Sequence, residues 1–465
     1  MLWTLSVNGQ IYTIYVSPKG NDNNSGTVDK PIKTLQKALS LMNTDTGENV
    51  SIQLMKGTYY LTETINIDQS LPLPARLEIQ GFENHRVVIR AAQILKPDWT
   101  YFREGIYRTQ VPAGMSFERL YVNGKLQTLA RYPNSDSTAK VFNGTAQDAT
   151  YYMRVLTWGN PSGGYVHALD ENKKGSLHYR ITGVDDTDNV ELDGGWQYKY
   201  PVHMHESYRF VENLLGELDA PGEWYLDKDL NFLYYYPVSE TDLSKALIEV
   251  SNLKNSIVVK GTPGKPVKNL TFKNLHFEYN ERTFMDSKDM LAGSDWAVYR
   301  GGALTISDTE NCKIKDCTFT DLGGNAIVID GYNKNVSVSG CLISHIGGSG
   351  FTFIDNSSDS ASGHLRKRFV PNCIIENNLF QYVGEIEKQG SGIHLNGVAG
   401  VTLKNNTIFH TPGNGLKIEN CNLENIKNQD NEVIDQNREL DGKPHEHTGA
   451  GVQLPALRKL IGNLK

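Results

Sequence analysis

Four carboxyl side chains have spacing that could do chemistry together: Asp330, Asp355, Glu419 and Asp441. Cleavage of a glycosidic bond needs two carboxyls, one as proton donor and one as base or nucleophile. The first three close apolar runs of the same kind, Asn325–Asp330, Gly350–Asp355 and Gly415–Glu419. If those runs stack as neighbouring strands about 4.8 Å apart, separations follow from counting. Asp330 and Asp355 fall on consecutive strands, near the short spacing of a retaining pair. Asp355 and Glu419 are two strands apart, roughly 10 Å, at the upper limit of an inverting pair. Glu419 and Asp441 are about one strand apart, whereas Asp330 and Glu419 span three. The bland alternative for Asp330 and Asp355 is a strand-ending Asp that bonds its own turn backbone. His394, Asn396 and Lys417 share the polar face of these strands, and Lys388, Trp296 and Arg300 flank it. Each could hydrogen-bond or stack on a sugar, and Lys417 could hold a neighbouring carboxyl ionised. A packing or solvated-surface role is the alternative for each.

These residues are positioned by a repeat. Gly302–Ser307, Asn325–Asp330, Gly350–Asp355, Gly392–Asn396 and Gly415–Glu419 align at spacings of 23, 24, 42 and 23 residues. The long step carries an insertion, roughly residues 356–370. A fixed period with alternating apolar and polar residues marks a solenoid whose units bury a core only by stacking. Successive strand side chains point to opposite faces. Leu304, Ile327, Phe351, Ile393 and Leu416 therefore form one inward column. Ile306, Ile329, Phe353, Leu395 and Ile418 form the second. The outward columns are Thr305, Val328, Thr352, His394, Lys417 and Ser307, Asp330, Ile354, Asn396, Glu419. Gly and Asn cluster at the corners, where tight turns need left-handed backbone. The fold class read from this pattern is all-β, a right-handed parallel β-helix.

Composition agrees. Among 465 residues there are 43 glycines and 39% hydrophobic residues, which suits a turn-rich β protein and not a helical bundle. The net charge of −7 offers no basic face for nucleic acid. No apolar run reaches the length of a membrane span. Met1–Val16 lacks the pattern of an intact signal peptide. The five cysteines lie between Cys312 and Cys421 without metal-site spacing. They read as small apolar core residues, with Cys317 and Cys341 stacked on adjacent rungs.

In chain order, residues 1–98 read as a cap and the first rungs. Ile32, Leu35, Leu39 and Met42 recur at helical spacing, giving one amphipathic helix to cover the open solenoid end. Over 99–247 the period is lost and short strands and turns dominate, with Asn123-Gly124 as a hairpin turn. This reads as an inserted β-rich domain, holding Trp158, Trp196, Tyr198, Tyr200, His203 and His205. These are core residues or sugar-stacking walls, and composition slightly favours core. The main β-helix spans 248–442, with Arg282–Arg300 as a loop forming one wall of a cleft, and 443–465 is an atypical tail.

Several segments carry a resemblance. They are Glu118–Lys125 with Leu129–Asn134, Gly163–His167, His178–Gly183 and Leu218–Leu226. Asp295-Trp296, Tyr299–Gly302 and Glu387–Gln389 complete the set. In this order they are similar to the β-helix proteins of glycoside hydrolase family 141, from about Tyr12 to Thr411. The resemblance implies hydrolysis of plant cell-wall glycans, xylan or fucosylated pectic glycan, in a secreted or periplasmic bacterial setting. It places the site on the rungs of Glu419 and Asp441. Where the family carries a Gly-Asp-His-Gly-like segment, this chain reads Glu439-Leu-Asp441-Gly442-Lys-Pro-His445. The expected partner is a carbohydrate, with no nucleic acid, membrane, cofactor or metal, and the protein is expected to be a monomer. Two alternatives stand beside hydrolysis. One is a polysaccharide lyase on a uronate-containing glycan, the only reading that brings in Ca²⁺. The other is a catalytically inactive carbohydrate-binding β-helix.

Overall fold

The computed structural model describes residues 11–42, 49–262, 264–355 and 372–436. Asp441 and the insertion at 356–370 lie outside them, as does the 443–465 tail. The repeat folds as a right-handed parallel β-helix with three sheet faces. One rung runs Leu304–Glu310 on the first face, Lys313–Lys315 on the second and Thr318–Leu322 on the third. The next runs Ile327–Lys334, Ser337–Ser339 and Leu342–Ile346.

The expected register is present residue for residue. Leu304 pairs with Ile327, Ile327 with Phe351, Phe351 with Ile393 and Ile393 with Leu416. His394 pairs with Lys417, and Asn396 with Glu419. The inward columns bury almost completely as far as Ile393 and Leu395, with Phe351 0% exposed, and end on the half-buried Leu416 and Ile418. Burying a side chain of this size contributes about 2–3 kcal/mol, so the stacked columns hold the solenoid together. A slip of one residue would turn every inward side chain outward, which is why the register is strict. Corner asparagines add polar ladders. Asn311 and Asn335 sit at φ 58° and 55°, and each donates its side-chain amide to the asparagine one rung back, at 3.0 and 2.9 Å. A second, buried ladder joins Asn378, Asn406 and Asn431. The four cysteines from Cys312 to Cys373 are buried free thiols.

The capping helix is Leu35–Ser40, begun by Thr34, whose hydroxyl accepts the Lys37 amide at 3.2 Å. Its buried Leu35, Ala38 and Leu39 join the core of the first rung. The insertion consists of antiparallel strand pairs apart from the parallel pairing of Thr128–Leu129 with Glu223–Asp227, and the Asn123-Gly124 turn lies between Leu120–Val122 and Lys125–Leu126 as expected. Its sheets reach further than the loss of period suggested. Ala92–Leu95 and Ile248–Ser251 pair antiparallel with each other, forming the stem where the chain leaves and returns. The solenoid resumes at Ile257–Lys260, which pairs in parallel with Ile65–Asp68 on one side and Leu304–Ser307 on the other. The ladder therefore continues unbroken across the insertion. The Arg282–Arg300 loop contains a small hairpin, Asp289–Met290 with Ala297–Val298, and a bridge from Trp296 to Tyr198 ties it to the insertion.

Candidate functional site

The outward face of the first sheet brings several of the expected residues together. Glu419 takes a hydrogen bond from His394 Nε2 at 3.0 Å and pairs with Lys417 Nζ at 3.0 Å. Burial pushes the Glu419 carboxyl up, but the His394 bond and the Lys417 charge outweigh it and hold it at about 2. Burial lowers the His394 pKa, so this imidazole is neutral and serves Glu419 as a donor. Lys417 Nζ also reaches Ser294 Oγ at 3.4 Å, and Asn396 gives its side-chain amide to Ala292 O at 3.0 Å. Trp296 is 7% exposed, and its ring lies 4.7 Å from that of Tyr198. The loop thus lies over His394, Lys417 and Glu419. The slot beside them, lined also by Trp296 and Glu387, holds about 20 Å³. That is room for about one water and not for a sugar ring. Arg300 forms a two-point pair with Asp330. Asp355 follows the strand Phe351–Ile354, and its amide donates to Asn396 O.

A larger cavity among the described residues lies elsewhere, between the insertion and the corner where the third-face strands end. It measures about 650 Å³, within the usual range for ligand sites. Of the residues singled out from sequence, Lys388 lines it. Glu387 and Lys388 are adjacent and face opposite ways, Glu387 into the slot and Lys388 into the cleft.

The cleft is built on Arg282, whose side chain is 8% exposed. Its Nε donates to Glu118 Oε2 at 3.1 Å, and its Nη1 to Glu212 Oε1. Tyr165 OH donates to Glu118 Oε1 at 2.6 Å. His167 Nε2 bonds Glu212 Oε1 at 2.9 Å, and its Nδ1 meets His178 Nδ1 at 2.6 Å. His178 Nε2 lies 2.9 Å from Ser176 Oγ, which accepts the Lys388 amide at 2.9 Å. One proton assignment satisfies the whole chain. His167 donates to Glu212, His178 to His167 and Ser176 to His178. Burial keeps both imidazoles neutral, as that assignment requires. Burial also works against the Glu212 charge, but Arg282 and His167 hold its carboxyl far below the ordinary range. Glu118 keeps 24% of its side chain exposed, more than Glu212, Arg282 or His167, which line the cavity with it. Behind it, Glu281 accepts the Glu118 amide at 3.2 Å. Burial, then the Glu118 charge, pushes the Glu281 carboxyl up to about 7. Among the described residues no group of three or more His, Cys, Asp or Glu is arranged to hold a metal ion. No helix there is long and apolar enough to cross a membrane.

Glu118, Glu212 and Arg282 escaped the sequence reading because they are far apart in the chain and lie outside the repeat. A signal existed: Glu118, His167 and His178 each begin or end a segment that carries the family resemblance.

Comparison with known proteins fits this architecture. Residues 238–367 match the family model described as right handed beta helix region, and residues 18–88 match one described as a protein of unknown function, DUF1565. Both the match and the sheet topology give the fold as a right-handed parallel β-helix. A solved structure titled glycoside hydrolase superposes with a TM-score of 0.73 at 20% identity, covering 88% of this chain and 80% of that one. The complex of XylC with xylose superposes with a TM-score of 0.54 at 13% identity, covering 91% of this chain and 62% of that one. The pectate lyase PEL9 of Emericella nidulans is 32% identical over 81 residues, 17% of this chain and 19% of that protein. The chain covers less than a fifth of the length of either curated relative that it matches.

Proposed function

We propose that the protein is a carbohydrate-active β-helix enzyme, a glycoside hydrolase that works in the cleft between the insertion and the solenoid. The observation that carries this reading is the pairing of a sugar-sized cavity with an oriented carboxylate, Glu118, on its floor. Glu118 is fixed by the Tyr165 hydroxyl and the Arg282 guanidinium, and Arg282 is fixed in turn by Glu212 and His167. This is the support a nucleophile or base needs to hold its geometry. Glu281 keeps a proton next to Glu118 up to about neutral pH, so a protonated carboxyl stands beside Glu118. The likeness to a structure titled glycoside hydrolase and the ordered family 141 motifs support hydrolysis. Xylan or fucosylated pectic glycan is the substrate class those motifs imply, and with it a secreted or periplasmic bacterial setting.

The test is a screen of xylo-oligosaccharides and fucosylated pectic oligosaccharides with products identified by mass. Glu118→Gln should lower kcat/KM by at least about 100-fold, the scale of losing one catalytic group. Activity unchanged in Glu118→Gln removes the cleft assignment. Activity lost instead in Glu419→Gln returns the site to the first face. A product carrying a new double bond, seen by ultraviolet absorption, replaces hydrolysis with lyase chemistry. Binding without any product leaves a carbohydrate-binding β-helix.

A further inference from the structure

The third-face strands each bend at one residue just before they end. Asp321, His345, Tyr382 and His410 follow the paired residues Thr320, Ser344, Gln381 and Phe409 on four successive rungs. All four have left-handed backbone, with φ of 53°, 56°, 52° and 53°. Asp and His are enriched in that region, but a bulky Tyr there is an outlier. Other corners of the solenoid give this backbone to asparagine, as at Asn311, Asn335 and Asn405. A residue kept in a costly conformation by its surroundings points to a function for its side chain.

The three rings form a stack. His345 and Tyr382 have centroids 4.8 Å apart at 5°, and Tyr382 and His410 4.8 Å apart at 18°. That is the spacing of the rungs, so the rings lie flat across the solenoid axis, cover one another's faces and turn their edges outward. His345 Nδ1 bonds Glu385 Oε1 at 2.9 Å, which fixes one end of the stack. Tyr382, His410 and Glu385 line the same cavity as Glu118, and Tyr382 is 39% exposed. Among the described residues the Tyr382 hydroxyl and the His410 ring nitrogens bond nothing. One rung before Asp321 the same corner carries Tyr279, at φ 71°, and there Tyr121 of the insertion covers the ring face at 3.6 Å. The insertion therefore fills this corner at Tyr279 and leaves it open to the cleft at Tyr382 and His410.

We infer that the stacked corner is a subsite for an extended glycan, a chain of several sugars lying along the solenoid axis with its hydroxyls bonded to the outward edges of Tyr382 and His410. The inference rests on the cleft being the glycan site, and it makes the substrate a chain and not a single terminal sugar. A phenol and an imidazole each donate and accept, as a sugar hydroxyl does, and a stacked ring loses little freedom on binding.

The test compares Tyr382→Asn and Tyr382→Phe with the parent on two-sugar and six-sugar members of two series, xylo-oligosaccharides and fucosylated pectic fragments. The readout is KM for members that are cleaved and Kd, by calorimetry, for members that only bind. Asparagine suits the left-handed backbone, so Tyr382→Asn should unfold in denaturant near the parent midpoint. It should weaken six-sugar binding about tenfold, the scale of a lost hydrogen bond and ring contact, and leave two-sugar members within about twofold. Tyr382→Phe keeps the stack and should weaken six-sugar binding about fivefold, the scale of one hydrogen bond; it decides the matter if Tyr382→Asn does not fold. Constants equal to the parent's in both variants overturn the inference, as does an equal loss at both lengths or a parent that binds no member of either series. Glu118-dependent cleavage with an unchanged length preference in the variants sinks the subsite and keeps the hydrolase. A length-specific loss at Tyr382 with Glu118→Gln fully active keeps the subsite and removes Glu118 from the reaction.

Discussion

Glu387→Gln should change the pH dependence of stability in a way that few other substitutions would. Burial pushes the Glu387 carboxyl up to about 7 from its ordinary 4.5; the Ser287 hydrogen bond opposes this and the Asp286 charge adds to it. The native state therefore binds more protons than the unfolded chain between pH 4.5 and about 7, and stability falls as pH rises across that window. Above about 7 the full cost of ionising a buried carboxyl is present. The interval converts to about 3 kcal/mol at about 1.4 kcal/mol per unit. Glutamine has nearly the same shape and does not titrate. Near pH 4.5 parent and variant should differ only by a small packing term. By pH 8 the variant should have gained about 3 kcal/mol on the parent. Denaturant unfolding at closely spaced pH values, followed by tryptophan fluorescence, measures this difference. Glu223 and Glu281 are also pushed up to about 7, by burial first in each case, but they are common to both proteins and cancel. Two stability curves that stay parallel from pH 4.5 to 8 would refute the reasoning.

Other substitutions test other parts of the molecule. Phe351→Ala empties a fully buried position between Ile327 and Ile393 and should cost about 3–5 kcal/mol in denaturant unfolding. Arg282→Met strips the shared cation from Glu118 and Glu212 and should cost about 3–5 kcal/mol near neutral pH. That loss should shrink in acid. The depressed Glu212 carboxyl contributes stability that is present above its ordinary value of 4.5 and disappears as pH falls. A deficit equal at pH 7 and pH 3 would show that the pair does not behave this way. The activity loss in Glu118→Gln completes the set.

The solenoid was legible because its physics is local and periodic. Strand alternation placed Leu304, Ile327, Phe351, Ile393 and Leu416 in one column before any coordinates, and the observed pairing repeats that column. The same alternation put His394, Lys417 and Glu419 side by side. It could not show that the Arg282–Arg300 loop folds over them, because that contact joins segments with no shared period. The stem at Ala92–Leu95 and Ile248–Ser251 was hidden for a related reason. An antiparallel pair across 150 residues leaves no local mark in either strand.

The sequence by itself determined the β-helix, its register, its capping helix and the existence of an insertion, since each depends on neighbours in the chain or on a fixed repeat. The tertiary structure alone decided where a cavity opens. Glu118, Glu212 and Arg282 come together only because the insertion docks against the solenoid corner.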